Sequence, residues 1–264
     1  MIYAIGDIHG QLAQLDRALA LIAADGGGDA PVVFLGDYTD RGPDSRGVID
    51  RLIVGRDAGR PWQFIKGNHD RMFQRFIESG DCHDVAIRSG LSWLNPRLGG
   101  DKTLASYGIV PDGPPVFDLD AQGREVLRDY PTTEGNLDLT ALVDLARARV
   151  PDAHVRFLTD NPLTVTAPGH LFVHAGVRPG IALADQVEDD LIWIRDGWLD
   201  NTDDHGTMIV HGHTALAHPT HFGNRIDLDA GAGYGHPLVP AVCDDAGDWF
   251  ILTDTGRQPI ALAE

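Results

Sequence analysis

The sequence predicts an α/β fold, a sheet with helices packed against it. Two patterns carry that prediction. Five short apolar runs, at residues 2–5, 32–35, 62–65, 171–173 and 208–210, each lead into Gly, Asp or His. Runs of that length and composition are strand signals. Around and between the early runs, apolar residues recur at helical spacing: Leu12, Leu15, Leu19 and Ile22, then Val48, Ile49, Leu52 and Ile53, then Met72, Phe73, Phe76 and Ile77.

Taken in order, the first run opens into Gly6-Asp7-Ile8-His9-Gly10 and the first helix. Asp25-Gly26-Gly27-Gly28-Asp29 reads as a plain loop before the second run. That run opens into Gly36-Asp37-Tyr38-Thr39-Asp40-Arg41-Gly42, and the third passes through Lys66 into Gly67-Asn68-His69-Asp70. Residues 80–165 are expected to form a largely helical insertion near the mouth of a site, within a single domain spanning 1–264. Leu139, Leu142, Val143, Ala146 and Val150 mark one helix there, stopped near Pro151. The fourth and fifth runs deliver His174-Ala175-Gly176 and His211-Gly212-His213-Thr214. Arg225-Ile226-Asp227-Leu228-Asp229 alternates as a strand does. Residues 238–242 and 249–252 flank Asp244-Asp245-Ala246-Gly247-Asp248 as a hairpin-like pair.

Bulk properties narrow the function. With 264 residues, 43% hydrophobic and 23% charged, the chain has the make-up of a globular protein. A formal net charge of −18 argues against a nucleic-acid-binding surface. It also repels a phosphate substrate at long range, so attraction must come from a locally positive site, which bound metal would create. Cys82 and Cys243 are the only cysteines, too few and too isolated for a disulfide framework or a CxxC zinc site. No leader-like or membrane-spanning apolar run is visible, so the expected home is cytoplasmic, without a membrane partner.

Ligands of open α/β sheets gather at the carboxyl ends of strands, so the five motifs are expected to converge. Asp7, His9, Asp37, Asn68, His174 and His213 then supply oxygen and nitrogen donors without a thiolate. That mixture suits Mn²⁺, Fe or Zn²⁺ better than Ca²⁺ or Mg²⁺. Six donors exceed one tetrahedral site and serve two ions if one carboxylate bridges, a place that falls to the central Asp37. His69, beside Asn68, is placed to protonate a leaving group, with Asp40 orienting its ring. Arg41 and Arg195 are candidates to hold phosphate oxygens.

The five motifs together, in order from residue 6 to 214, resemble the phosphoprotein phosphatase branch of the calcineurin-like metallophosphoesterases. The resemblance implies a β-sandwich of two mixed sheets flanked by helices. It implies Asp7 and His9 on a first metal, Asp37 bridging, and Asn68, His174 and His213 on a second, with Mn²⁺ the foremost metal. His69 with Asp40 would be the acid pair and Arg41 a phosphate ligand. Trp193-Ile194-Arg195 resembles the Trp-x-Arg of bacterial and phage serine/threonine phosphatases and implies Arg195 as the second phosphate arginine. The implied reaction is direct attack by a metal-bridging hydroxide on the phosphorus of a phosphorylated protein or small phosphoester.

Some positions depart from that pattern. Asp70 stands where protein phosphatases more often carry Glu, and Asp also occurs there in relatives that hydrolyse diadenosine tetraphosphate. Those relatives typically carry Ala-Arg-Gly, so Asp40 favours phosphomonoesters and leaves symmetrical dinucleoside tetraphosphate hydrolysis as the alternative. Thr214-Ala215 replaces the second histidine of the broader family's Gly-His-x-His. Asp229-Ala230-Gly231-Ala232 resembles Asp-Thr-Gly-Ala with the threonine lost.

Overall fold

The computed structural model describes residues 1–263. The first half of the chain forms β1 (Ile2–Ile5), α1 (Leu12–Ile22), β2 (Val32–Phe34), α2 (Ser45–Asp57), β3 (Trp62–Phe64), α3 (Asn68–Ser79), α4 (Gly100–Ser106), β4 (Val116–Leu119), β5 (Glu125–Thr132) and β6 (Gly135–Leu137). The second half adds α5 (Leu139–Arg149), α6 (Asp152–Asp160), β7 (Thr164–Ala167), β8 (His170–Val173), α7 (Glu188–Trp193), β9 (Met208–His211), β10 (Thr220–His221), β11 (Arg225–Asp227), β12 (Ala241–Cys243), β13 (Trp249–Thr253), β14 (Gly256–Pro259) and β15 (Ala261–Leu262). Two mixed six-stranded sheets result, in the orders β14-β13-β12-β1-β2-β3 and β15-β10-β11-β9-β8-β7. Within them β1, β2 and β3 run parallel, as do β8, β9 and β11.

The period of two along each strand sets the layers. Ala4, Val33 and Leu35 point between the sheets and meet Phe172, Val210 and Ile226 of the second sheet. Their neighbours Tyr3, Ile5, Val32 and Phe34 point the other way, against Leu15, Val48 and Phe73 of the first three helices. Leu171, Val173 and Ile209 cover the outer face of the second sheet beneath Leu191 and Ile192 of α7. The expected sandwich flanked by helices is the fold observed. No described helix is long and apolar enough to cross a membrane.

Two local expectations change. The glycine run after α1 begins as a π-helical turn, Ala23–Gly27, in which Gly26 takes φ +91°. Asp25 on that turn accepts the Tyr3 hydroxyl at 2.8 Å, which holds the turn against β1. Residues 80–165 contain α4, α5 and α6 as expected of a helical segment, and also the three-stranded antiparallel sheet β4-β5-β6. Pro131 lies within β5, and proline demotes a run as a strand signal, so the alternation around it passes unnoticed.

This segment does not stand apart. Leu127 and Tyr130 of β5 and Phe157 of α6 belong to the same core as Tyr3 and Phe34. Phe157 packs edge-on against Tyr38 and Phe64, with ring centroids 5.4 and 5.1 Å away. Phe157→Ala should therefore lower global stability by about 3–5 kcal/mol in a single cooperative transition. Urea unfolding followed by tryptophan fluorescence would measure it. A loss below about 1 kcal/mol, or a separate early transition, would mean that the segment is an independent unit.

Candidate metal centre

Parallel neighbours put their carboxyl ends at one edge, and both sheets do so on the same side. Asp7 and His9 follow β1, and Asp37, Asp40 and Arg41 follow β2. Asn68 and His69 open α3 directly after β3, His174 follows β8 and His213 follows β9. All but Arg41 are buried. Five non-glycine residues among those described have positive φ: His9, Asp37, Asp40, Arg41 and His213. Each belongs to this group. Backbone held in that region by surrounding structure clusters at functional sites.

Asp70 locks the loops together. As the third residue of α3, its carboxylate accepts the backbone N–H of Gly67 at 3.0 Å, closing the helix N-terminus. It also accepts N–H groups of Asp37 (2.8 Å) and Tyr38 (2.9 Å). The Asp37 carboxylate in turn accepts the His69 N–H of the first helical turn at 2.9 Å. The sequence reading gave Asp70 no such role. The signal was its position three residues after Gly67, the N3 place of a capping box.

Backbone carbonyls settle which ring nitrogens face the centre. Nδ1–H of His174 donates to Leu35 O at 2.8 Å, and Nδ1–H of His9 donates to Thr39 O at 2.7 Å. A carbonyl only accepts, so each Nε2 carries a lone pair inward. The His174 Nε2 lies 2.8 Å from Asn68 Oδ1 and 3.5 Å from Asp37 Oδ1. His213 Nδ1 lies 2.8 Å from the same Asn68 oxygen. On the other side His9 Nε2 is 3.5 Å from Asp37 Oδ2 and 3.9 Å from Asp7 Oδ2. Asp37 thus offers one oxygen to each group of donors. One ligand atom each from Asp37, His174 and His213 falls within 4.8 Å of the others. Arg41 Nη1 already reaches His9 Nε2 at 2.5 Å, and a cation at the centre of each group would turn the remaining crowding of lone pairs into coordination. The donor set fits two divalent ions.

Electrostatics agree with the geometry. Burial, then Asp229 and Asp37, push the Asp7 carboxyl well above its ordinary range. Burial and Asp70 do the same to Asp37. Burial also holds His9 and His213 well below the ordinary imidazole value and lowers His174 to about 3. Without a cation, then, the carboxylates retain protons while the imidazoles stay neutral.

Beside these donors, His69 Nδ1 lies 2.6 Å from Asp40 Oδ2, and its Nε2 lies 2.9 Å from Nη2 of Arg41. Burial raises Asp40 to about 8 against the opposing hydrogen bonds from Thr103 and Trp93. Burial and Arg41 depress His69. At 2.6 Å the two share one proton. Because Trp93 and Thr103 already donate to both carboxylate oxygens and Arg41 donates to His69 Nε2, the geometry places that proton on His69 Nδ1 with Asp40 accepting. The Arg41 guanidinium lies over the Tyr234 ring at 4.7 Å. Arg195, exposed at the rim of the site, donates from Nη2 to His213 O at 3.1 Å. Next to it opens a cavity of about 500 Å³ whose walls include Arg195, His213, Tyr234 and His236. His211 stays out of the donor set, fully buried with Nδ1 3.0 Å from Gly212 O.

Three residues of the 80–165 segment reach this site without an obvious sequence signal. Trp93, which reads as a packing residue, does stack on Phe73, yet its indole N–H also donates to Asp40 at 2.8 Å. Thr103 donates its hydroxyl to Asp40 at 2.7 Å. Gly99 accepts the Arg41 N–H at 3.4 Å, and a Cβ there would stand 2.3 Å from that nitrogen. Only glycine permits the approach.

Two outcomes follow from the donor geometry. Asp37→Asn, which removes the charge shared by both groups, should lower bound Mn²⁺ from about two ions to one or none by elemental analysis. Full retention would remove Asp37 from the bridge. Because Asp7 and Asp37 are raised, the metal-free protein holds protons there that a cation must displace. Mn²⁺ affinity should therefore rise with pH above the ordinary carboxylate range, with proton release visible by calorimetry in buffers of different ionisation enthalpy. Affinity independent of pH would contradict it.

The model of the calcineurin-like phosphoesterase family matches residues 1–239. Over 248 residues the chain is 27% identical to an asymmetrical bis(5'-nucleosyl)-tetraphosphatase, PrpE, of Geobacillus thermodenitrificans, covering 89% of this chain and 87% of that protein. It is also 27% identical over 186 residues to a symmetrical bis(5'-nucleosyl)-tetraphosphatase of Ralstonia nicotianae, but that match covers 70% of this chain and only 45% of the relative. Among solved structures, a protein described as a candidate diadenosine tetraphosphatase superposes with a TM-score of 0.59 at 20% identity, covering 95% of this chain and 92% of that one. A cold-active protein-tyrosine phosphatase of a Shewanella species reaches 0.54 at 14% identity, covering 98% and 80%. The chain belongs to the calcineurin-like phosphoesterase family, hydrolases that depend on two metal ions.

Proposed function

We propose that this chain hydrolyses dinucleoside tetraphosphates. The observation that carries the reading is its similarity, along 89% of its length, to asymmetrical tetraphosphatases. The cavity beside the donor groups supports it. Tyr234 is 63% exposed there and offers a ring to a nucleobase, and Arg195 offers a fork to phosphate oxygens. The expectation drawn from Asp40 points to phosphomonoesters instead, and the relatives shift the weight to what stood as the alternative.

In this reading Asp7 and His9 would hold one ion, Asn68, His174 and His213 the other, and Asp37 would contribute to both. When bound, such a pair lowers the pKa of a shared water and neutralises phosphoryl charge. Arg41 and Arg195 orient the phosphate, and His69, after taking up a second proton at Nε2, gives that proton to the leaving oxygen while Asp40 holds Nδ1–H. The metals are Mn²⁺ first, with Fe or Zn²⁺ as the other candidates on donor chemistry.

One feature supports a second reading, a phosphomonoesterase acting on phosphoproteins or small phosphoesters. A nucleotide leaves as a phosphate anion and needs little protonation. An alkoxide leaving group needs a proton. The intact His69–Asp40 pair is therefore more than a tetraphosphatase requires.

Product analysis of the Mn²⁺-loaded protein separates the readings. Diadenosine tetraphosphate should give ATP and AMP if cut asymmetrically, or ADP if cut at the centre. Turnover of a phosphoserine peptide without any cleavage of the tetraphosphate would overturn the first reading. His69→Asn should cost about 10²–10⁴-fold in kcat on phosphoserine peptide and far less on the tetraphosphate. Equal losses would mean that His69 is not acting as the acid.

A further inference from the structure

Asp40 has an unusually complete set of partners. Its Oδ2 accepts both His69 Nδ1–H at 2.6 Å and Trp93 Nε1–H at 2.8 Å. Its Oδ1 accepts the Thr103 hydroxyl at 2.7 Å. Its backbone N–H, on a residue with φ +71°, reaches Thr103 Oγ1 at 2.8 Å and Ser45 Oγ at 3.1 Å. Ser45 and Thr103 are themselves 3.0 Å apart. The Thr103 proton is committed to Asp40, so Ser45 donates to Thr103, and every hydroxyl proton has one destination. Asp40, Ser45, Trp93 and Thr103 are all buried.

Packing alone does not call for this arrangement. A phenylalanine at 93 would stack on Phe73 as well, and a valine would fill the place of Thr103. A buried N–H or O–H costs free energy unless paired, and here both are paired with one carboxylate. The effect of three donors is to keep Asp40 an acceptor and to fix its plane. That plane sets the direction of His69, because Nδ1–H must point at Oδ2. It therefore also sets where Nε2 points.

We propose that Trp93 and Thr103 are positioning residues for the acid pair: the 80–165 segment, through these two donors, aims His69 at the leaving group. The inference rests on the assignment of His69 as the acid. In the step itself a hydroxide oxygen forms a new bond to phosphorus as the P–O bond to the leaving group breaks. The electron pair of the broken bond stays on the leaving oxygen, and this oxygen takes the Nε2 proton of the His69 imidazolium, which returns to the neutral Nδ1–H form. Asp40 keeps its charge throughout. Any fault in aim therefore matters most where the leaving oxygen is most basic.

The test compares phenyl phosphate, a basic leaving group, with p-nitrophenyl phosphate, which leaves readily, using the full-length Mn²⁺-loaded protein. Thr103→Val and Trp93→Phe should each lose about tenfold more kcat on phenyl phosphate than on p-nitrophenyl phosphate, with KM little changed and metal content retained. Thr103→Ser, which keeps the hydroxyl, should recover most of the difference. Equal losses on both esters, a change confined to KM, or no recovery with serine would overturn the positioning role. His69→Asn is run beside them. If it loses equally on both esters, the acid assignment fails and the inference with it. If it discriminates while Thr103→Val and Trp93→Phe do not, only the positioning role fails. Thr103→Val keeps the side chain's shape and removes only the hydroxyl, and Thr103→Ser restores it, so this pair carries the test even where Trp93→Phe folds poorly.

Discussion

Everything near the strand ends answers one constraint: carboxylates and unprotonated imidazole nitrogens are crowded together where water cannot reach them. Carbonyl groups of Leu35 and Thr39 hold two of the rings with their lone pairs inward, so repulsion cannot be relieved by a tautomer change. Protons on the carboxylates and the Arg41 guanidinium relieve part of it, and positive charge at the centre would relieve the rest, with Asp37 the group that would feel two such charges at once. The left-handed backbone at His9, Asp37, Asp40, Arg41 and His213 belongs to the same account. Each costs on the order of 1–3 kcal/mol in isolation and persists because neighbouring hydrogen bonds and packing over-determine it. Asp70 is the clearest instance, tying Gly67, Asp37 and Tyr38 with one carboxylate.

How much of this was legible depends on how local the signal is. The strands delivering Asp7, Asp37, Asn68, His174 and His213 were readable because each run is apolar, short and closed by a residue that terminates it. The pairing of the runs was readable only as an inference from sheet architecture, and the two parallel triplets now supply it. Trp93 and Thr103 were not readable, because nothing in their neighbourhood departs from ordinary packing and helix composition. Their partner Asp40 is 53 and 63 residues away. The hairpin around Pro131 was hidden by the residue that usually argues against a strand.

Substrate identity was less legible still, and the reason is physical. In the proposed reading a metal pair, two arginines and an acid would act on the phosphoryl group, which esters and anhydrides share. What would separate one substrate from another then lies beyond the phosphorus, in the walls formed by Tyr234 and His236. These sit in an irregular stretch after β11, where neither periodicity nor charge marks them out. Asp40 speaks only to the basicity of the leaving group. That is why it could suggest phosphomonoesters without excluding an anhydride.

The overall charge of −18 sharpens the division between long and short range. At physiological ionic strength, screening over about 8 Å removes most of the surface repulsion that an incoming polyphosphate would otherwise meet. Inside the site Arg41 is partly withdrawn from water, and the same Coulomb interaction is several-fold stronger there. An acidic exterior is thus compatible with a polyanionic substrate, provided that attraction is concentrated within a few ångströms of the donors. It also makes the site selective by contact rather than by field. In the proposed reading a phosphate would be drawn in only after it has arrived, and the walls that meet the rest of the molecule would then decide whether it stays.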